Sequence, residues 1–300
     1  MGEVEFELLP LLTSPCKGEE PFAESTLDHL AYYNLEREPF SIMPLTDFYY
    51  HNDEQDRAFL RLKRVVEGMK GLGVLVGDVG TGKTLLARRL LENLPEEQYE
   101  VSMLVVLHSD VTSDWLVRRI AGQFGVESHE GGKVDVLQRL YERLSVLAEE
   151  GKRSVILIDE AHMLRDTALL EEIRGLLNLE LPERKLISFV LFGMPELNEC
   201  MKSEPALAQR IAVRYELRPF PREVVSDYIQ FRLEHAGCTE EVFSAEAVDA
   251  IHEYSRGVPR LINVICDNAL FEGFVRKAEL PLELEVIQDV CADLGFTDVL

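Results

Sequence analysis

The chain has 300 residues, 46% of them hydrophobic, enough for one large or two smaller folded units with a sizeable core. Its 54 acidic side chains outnumber 31 basic ones, and the formal charge of −23 argues against extensive direct contact with DNA phosphates. The first residues lack a basic, then apolar leader, and no apolar run approaches the roughly 18 residues of a membrane helix, so a cytoplasmic chain without membrane insertion is expected. The charge is uneven. Residues 1–56 hold 13 acids against 2 bases and residues 221–300 hold 16 against 6, whereas residues 57–220 hold 25 against 23. Two readings of the acidic ends stand: solvated surface, or a docking surface for a basic protein partner. Cys16, Cys200, Cys238, Cys266 and Cys291 form no CxxC pair and no metal-ligand spacing, which suits reduced thiols.

Residues 1–28 carry Pro10, Pro15 and Pro21 among acids with no periodicity, and an irregular extension is expected there. Asn52 to Met69 places Phe59, Leu62, Val65 and Val66 near one face of a helix. Residues 72–76 are a short apolar run of the kind a buried parallel strand needs. The run leads into Gly77, Asp78, Val79, Gly80, Thr81, Gly82, Lys83 and Thr84, a G-x-x-x-x-G-K-[ST] pattern. Its glycines let successive backbone N–H groups turn inward toward phosphate oxygens. Lys83 is placed to reach the β- and γ-phosphates of ATP, and the Thr84 hydroxyl to ligate Mg²⁺. Helical spacing continues through Leu85, so a helix N-terminus also faces the phosphates.

Strand and helix then alternate. Apolar runs fall at 103–107, 154–158, 186–192 and 213–217, with helical stretches at 83–94, 113–124, 134–149 and 168–180. The pattern predicts an α/β domain, a three-layer parallel sheet covered on both faces, over residues 29–220. The run at 154–158 ends in Asp159-Glu160. Asp159 is placed to hold Mg²⁺, and Glu160 to orient and deprotonate a water; acids opening a helix favoured by its dipole are the plainer reading of the pair. After Pro219 and Pro221 the strands stop. Segments 222–236, 244–254, 259–276 and 282–294 read as helices, so residues 221–300 are expected to form an all-helical lid.

An α/β core followed by a small helical domain is the plan of AAA+ ATPases. In Arg256-Gly257-Val258-Pro259-Arg260-Leu261-Ile262-Asn263, Pro259 suits a first helical turn and aims Arg260 from the helix start, which resembles the AAA+ sensor-2 motif. The likeness extends along residues 30–295. Tyr32-Tyr33-Asn34-Leu35, Pro39-Phe40, the phosphate loop, Ile158-Asp159-Glu160-Ala161-His162, Glu172 to Glu180, Val190 to Leu197, Gln209-Arg210-Ile211 and Gly257 to Asp267 resemble, in order and spacing, the GspA/ExeA-type AAA+ ATPases. The resemblance implies ATP and Mg²⁺ as cofactors and Arg260 as a reporter of the γ-phosphate. It implies an ATP-dependent homo-oligomer in which Arg210, or less well Arg214, is the arginine finger for a neighbour's site. Pro39 and Phe40 either wall the adenine or pack on the sheet edge.

Two departures stand out. Met194 replaces the family's glutamine, and its thioether, at best a weak acceptor, cannot position the attacking water as a polar side chain there does, so slow hydrolysis, or substitution by Asn178 or Asn198, is implied. Family members tied to envelope assembly also add a membrane helix and a cell-wall-binding domain, for which this sequence has no counterpart. The string Asp159-Glu160-Ala161-His162 echoes a helicase signature without the second domain a helicase needs. His162 is then a first-turn residue near the γ-phosphate or a surface residue. Three functions remain open: an assembly or remodelling ATPase for a secretion or envelope system, a DNA-transposition-type regulator, and a nucleotide switch. The second would need Arg61, Lys63 and Arg64 to converge with Arg88, Arg89, Arg118 and Arg119.

Overall fold

The computed structural model describes residues 28–127 and 129–296. The extension expected over 1–28, and Cys16 within it, lies outside them except for Asp28. Helix α1 (Asp28–Tyr32) leads through a 3-10 turn (Thr46–Phe48) to α2 (Asp53–Glu67). Asn52 starts α2 by accepting from the backbone of Glu54 at 3.0 Å and Gln55 at 2.9 Å, satisfying two otherwise orphaned N–H groups. There follow β1 (Leu72–Gly77), α3 (Lys83–Glu92), β2 (Tyr99–Val105), α4 (Ser113–Gln123), α5 (Lys133–Glu149) and β3 (Arg153–Asp159). A 3-10 turn (Ala161–Met163), α6 (Thr167–Leu176), the short strands β4 (Glu180–Leu181) and β5 (Arg184–Lys185), β6 (Ile187–Gly193), α7 (Glu196–Ser203), α8 (Pro205–Ala208) and β7 (Ile211–Leu217) complete the α/β part.

The main sheet is parallel in the order β2-β3-β6-β1-β7. Its central strands are apolar on both faces because both faces are covered. On one side Leu72, Val74, Ile156, Ile158, Phe189 and Leu191 pack under α4, α5 and α6. On the other, Leu75, Val155, Leu157, Val190 and Phe192 pack under α2 and α3. The helix expected over 168–180 stops at Leu176. Pro182 cannot continue a helix and biases its predecessor toward extended backbone, so the chain makes the β4–β5 hairpin instead. The strand expected at 103–107 runs from Tyr99 to Val105. It is a sheet edge whose half-exposed residues dilute the apolar signal.

The helical domain consists of α9 (Arg222–His235), α10 (Ala245–Ser255), α11 (Pro259–Arg276) and α12 (Leu284–Asp293), the four helices expected. Its core also takes in the N-terminal segment. Tyr33, Leu35 and Phe40 are buried among its apolar residues, and Tyr33 Oη donates to the Leu270 carbonyl at 2.9 Å. The packing unit that begins at residue 221 in sequence therefore includes residues from 30 to 40, expected with the sheet domain. At the junction the Phe220 N–H donates to the Gly257 carbonyl at 2.7 Å. A Cβ on Gly257 would lie 1.9 Å from the Phe220 oxygen, and its φ of +71° also calls for glycine.

Candidate functional site

The phosphate loop leaves the C-terminal end of β1, an interior strand between β6 and the edge strand β7. Gly80 and Gly82 have φ of +82° and +102°, the left-handed region that folds the loop back on itself. Thr81, fully buried, donates from Oγ1 to the Asp78 carbonyl at 2.8 Å, and a Cβ on Gly77 would meet Thr81 Oγ1 at 2.7 Å. Lys83 is buried, with Nζ donating to the carbonyls of Gly77 at 2.8 Å and Asp78 at 2.9 Å. Burial lowers its pKa, and the nearby Glu160, Asp159, Asp78 and Glu196 partly offset that. Val79 stands exposed at the loop tip, and Leu85 lines the same cleft from the start of α3.

Asp159, 2% exposed at the end of β3, meets Thr84 directly: Thr84 Oγ1 donates to Asp159 Oδ2 at 2.7 Å. The other carboxylate oxygen accepts from the Glu160 N–H at 2.9 Å. The hydroxyl and the carboxylate are hard oxygen donors brought together beside the phosphate loop, the donor set Mg²⁺ takes alongside nucleotide oxygens. Among the described residues no cluster of three or more His, Cys, Asp or Glu side chains could hold a metal ion, and a phosphate-loop magnesium site does not use one. Glu160 sits at φ +55°, a strained conformation for a non-glycine residue, which turns its carboxylate, 43% exposed, toward the cleft.

The helical domain closes the other side of a cleft of about 320 Å³. Arg260 is exposed at the first turn of α11 and its N–H donates to the Gly80 carbonyl at 3.3 Å. A Cβ on Gly80 would strike Arg260 Cβ at 2.7 Å. The absent side chain at Gly80 is what lets α11 approach the loop. Pro39 and Phe40 take neither place expected of them. Phe40 is 1% exposed in the helical-domain core, edge-on to Phe243 at 6.4 Å. Pro39 offers only its carbonyl, to Arg232 Nε at 2.6 Å. The apolar wall of the cleft is the next stretch, Ile42 to Leu45.

Two residues, Gln55 and Arg232, brace the site without having stood out in sequence, and Asn263 stood out only as the end of the run from Arg256. Gln55, buried on α2, donates to the Thr81 carbonyl at 3.2 Å and braces the loop from beneath. Arg232, 5% exposed, holds the Pro39 and Ser41 carbonyls and donates to Tyr228 Oη at 3.2 Å; burial lowers its pKa. Asn263 accepts from Tyr228 Oη at 2.8 Å. The available signal was a polar residue on the buried stripe of an amphipathic helix: Gln55 with Ala58 and Leu62, and Arg232 with Tyr228 and Ile229.

Arg210 stands just before β7, whose first residue, Ile211, is level with Leu72 at the start of β1. The phosphate loop leaves the far end of β1, on the order of 20 Å away at the rise of a strand, so Arg210 does not serve its own chain's cleft. Arg214 is exposed on the edge strand β7. Asn178 follows α6 ahead of the hairpin, at the end of the sheet opposite the phosphate loop, and is no substitute for the residue at 194; Asn198 lies on α7 with Oδ1 buried and without a hydrogen-bond partner. His162 is buried, not a surface residue. The basic residues do not converge: α2 and α3 lie on one face of the sheet and α4, with Arg118 and Arg119, on the other. Arg61 lies over Tyr215, Arg89 over Tyr49, and Lys63 pairs with Glu67.

A parallel sheet with its phosphate loop on an interior strand and a helical domain seated on that loop define an AAA+ protein. A family model described as an AAA domain matches residues 66–201, and an AAA domain implies nucleotide binding. The chain is a homologue of general secretion pathway protein A: it is 37% identical over 249 residues to that protein of Aeromonas hydrophila, across 82% of this chain and 45% of the relative. It thus spans less than half the length of that relative. Among solved structures, the ORC2 protein of Aeropyrum pernix in ADPNP–ADP complexes is similar with a TM-score of 0.63 and 16% identity, covering 86% of this chain and 72% of that one. The ORC1 protein of the same organism in complex with DNA follows at 0.62 and 20%, covering 86% and 69%. Cdc6p of Pyrobaculum aerophilum gives 0.61 and 15%, covering 82% and 70%. At these identities the likeness is one of fold. No helix among the described residues is long and apolar enough to cross a membrane.

Proposed function

We propose that the chain is a Mg²⁺-dependent ATPase whose cycle drives assembly or remodelling of a protein complex in a secretion or envelope system. The observation that carries the reading is the 2.7 Å contact between Thr84 and Asp159 beside a buried Lys83, with Glu160 open to the cleft. The residues from Gly77 to Leu85 bind the phosphates, with Lys83 exchanging its loop carbonyls for phosphate oxygens. Thr84 and Asp159 hold Mg²⁺, which supplies charge neutralisation at the phosphates when bound. Glu160 takes a proton from the attacking water. Ile42 to Leu45 cover the base, and Arg260 carries the state of the γ-phosphate into the helical domain.

Arg210 completes the site of a neighbouring copy, since it lies too far from its own. The reading is therefore of an ATP-dependent homo-oligomer. The acidic termini favour a basic protein partner, and the separation of the arginines on opposite faces of the sheet disfavours the DNA-regulator alternative. The test is particle mass in solution with ADP, with a slowly hydrolysed ATP analogue, and with the analogue plus duplex DNA, alongside phosphate release. A rise in mass with the analogue alone and measurable turnover support the reading. A rise only with DNA favours the alternative, and a monomer without turnover overturns the ATPase cycle.

A further inference from the structure

The turn after β3 is pressed against the end of β6. A Cβ on Gly193 would lie 3.0 Å from the His162 backbone nitrogen, so the missing side chain lets Ala161–Met163 reach that strand. The approach brings His162 Nδ1 to 3.4 Å from the Met194 N–H and 3.3 Å from Glu160 Oε2. The imidazole is 7% exposed, so water does not replace either contact freely.

These two partners make opposite demands on one atom. The Met194 N–H is only a donor and an ionised Glu160 only an acceptor, while a ring nitrogen is one or the other at a time. With its lone pair on Nδ1 the ring accepts from Met194 and repels the carboxylate. With its proton there it holds Glu160 and leaves the Met194 N–H unbonded. A neutral ring passes between the two by moving its proton to Nε2, so the choice follows from which neighbour is closer.

We propose that His162 is a positioning residue that couples the Glu160 carboxylate to the end of β6 through Nδ1 and the Met194 main-chain N–H, a polar link that the Met194 side chain cannot supply. When the end of β6 closes on the ring, Glu160 is released into the cleft; when it withdraws, the ring keeps Glu160. The inference rests on Glu160 acting as the base of the proposed ATPase.

The test compares His162→Ala, His162→Gln and Glu160→Gln in the full-length chain, with turnover at saturating ATP, KM, ATP-analogue affinity and melting temperature. His162→Ala is expected to lower kcat by about tenfold or more, with KM and affinity changed less than about twofold, the signature of an interaction lost after binding. A glutamine has separate acceptor and donor atoms and can meet both partners at once, so His162→Gln is expected to keep affinity and melting temperature near the parent while kcat stays about as low as in His162→Ala. A kcat in His162→Ala equal to the parent, a glutamine variant that recovers the parent kcat, or a joint fall of affinity and melting temperature in both variants overturns the proposal. Glu160→Gln separates the two levels. If it abolishes turnover while His162→Ala does not, only the coupling fails; if it retains turnover, or if the parent has none, the base assignment fails and the coupling with it.

Discussion

The two walls of the nucleotide cleft are built on different principles. The sheet-side wall is backbone: Gly77 to Gly82 fold on their own carbonyls, and Lys83, Thr84 and Asp159 close the set over short distances. The wall on the side of the helical domain is held by side chains that reach main-chain groups far away in sequence. Arg232 grips carbonyls 193 and 191 positions earlier, and Asn263 lies within 3.4 Å of the Ser41 carbonyl. The first wall rests mostly on local turns within the sheet domain, braced by Gln55 and Asp159, while the second exists only when the N-terminal segment and the helical domain are both in place. On the proposed function, the sheet-side wall fixes the chemistry and the other wall turns nucleotide state into motion.

The largest effect that breaks this comparison lies on the sheet side. Glu160→Gln should cut phosphate release by about 10²–10⁴-fold while leaving ATP-analogue affinity near the parent value, because only proton transfer is lost. Loss of affinity along with turnover would place Glu160 in binding instead. Next is the joint between the walls. Gly257→Ala forces a methyl onto the Phe220 carbonyl at positive φ and should cost about 3 kcal/mol or more in denaturant unfolding. A loss under about 1 kcal/mol would mean that the joint yields easily.

Arg232→Met sharpens the contrast further. It removes the side-chain donor of the Pro39 carbonyl, a cost of about 1–3 kcal/mol, and leaves the Ser41 carbonyl with the Asn263 amide at 3.4 Å. By loosening Ile42 to Leu45 it should weaken ATP binding in calorimetry but leave inorganic triphosphate binding unchanged. Equal weakening of both ligands would join the two walls into one unit. The smallest effect is Asn52→Ala, which removes the cap of α2 and should cost about 1 kcal/mol of stability, with affinity for both ligands falling slightly as Gln55 loses its footing under the loop.

The same contrast explains what was legible in the sequence. The sheet-side wall is made of two short contiguous runs, so Gly77 to Leu85 and Asp159-Glu160 stood out as motifs, and the alternation of buried runs carried the parallel sheet. Arg260 was legible because Pro259 starts its helix. The other wall was not legible. Phe40 sits beside the residues that line the cleft but turns into the helical-domain core, a choice made by the apolar gap around Phe243 and not by any local pattern. Arg232 looks like any helical arginine until its carbonyl partners, nearly two hundred residues away, are in place. The hairpin at 180–185 was hidden by a helical period that Pro182 interrupts.

The central claim is that each cleft is finished by Arg210 of a neighbouring copy, and mixing two inactive variants tests it most directly. Arg210→Ala lacks the finger it would offer and Glu160→Gln lacks the base, so each alone should release phosphate at least about tenfold more slowly than the parent. Mixed in equal amounts with ATP, an Arg210→Ala site can receive the intact arginine of a Glu160→Gln neighbour, and a substantial part of the parent turnover should return. No recovery on mixing, or full activity of Arg210→Ala by itself, would contradict a site shared between subunits.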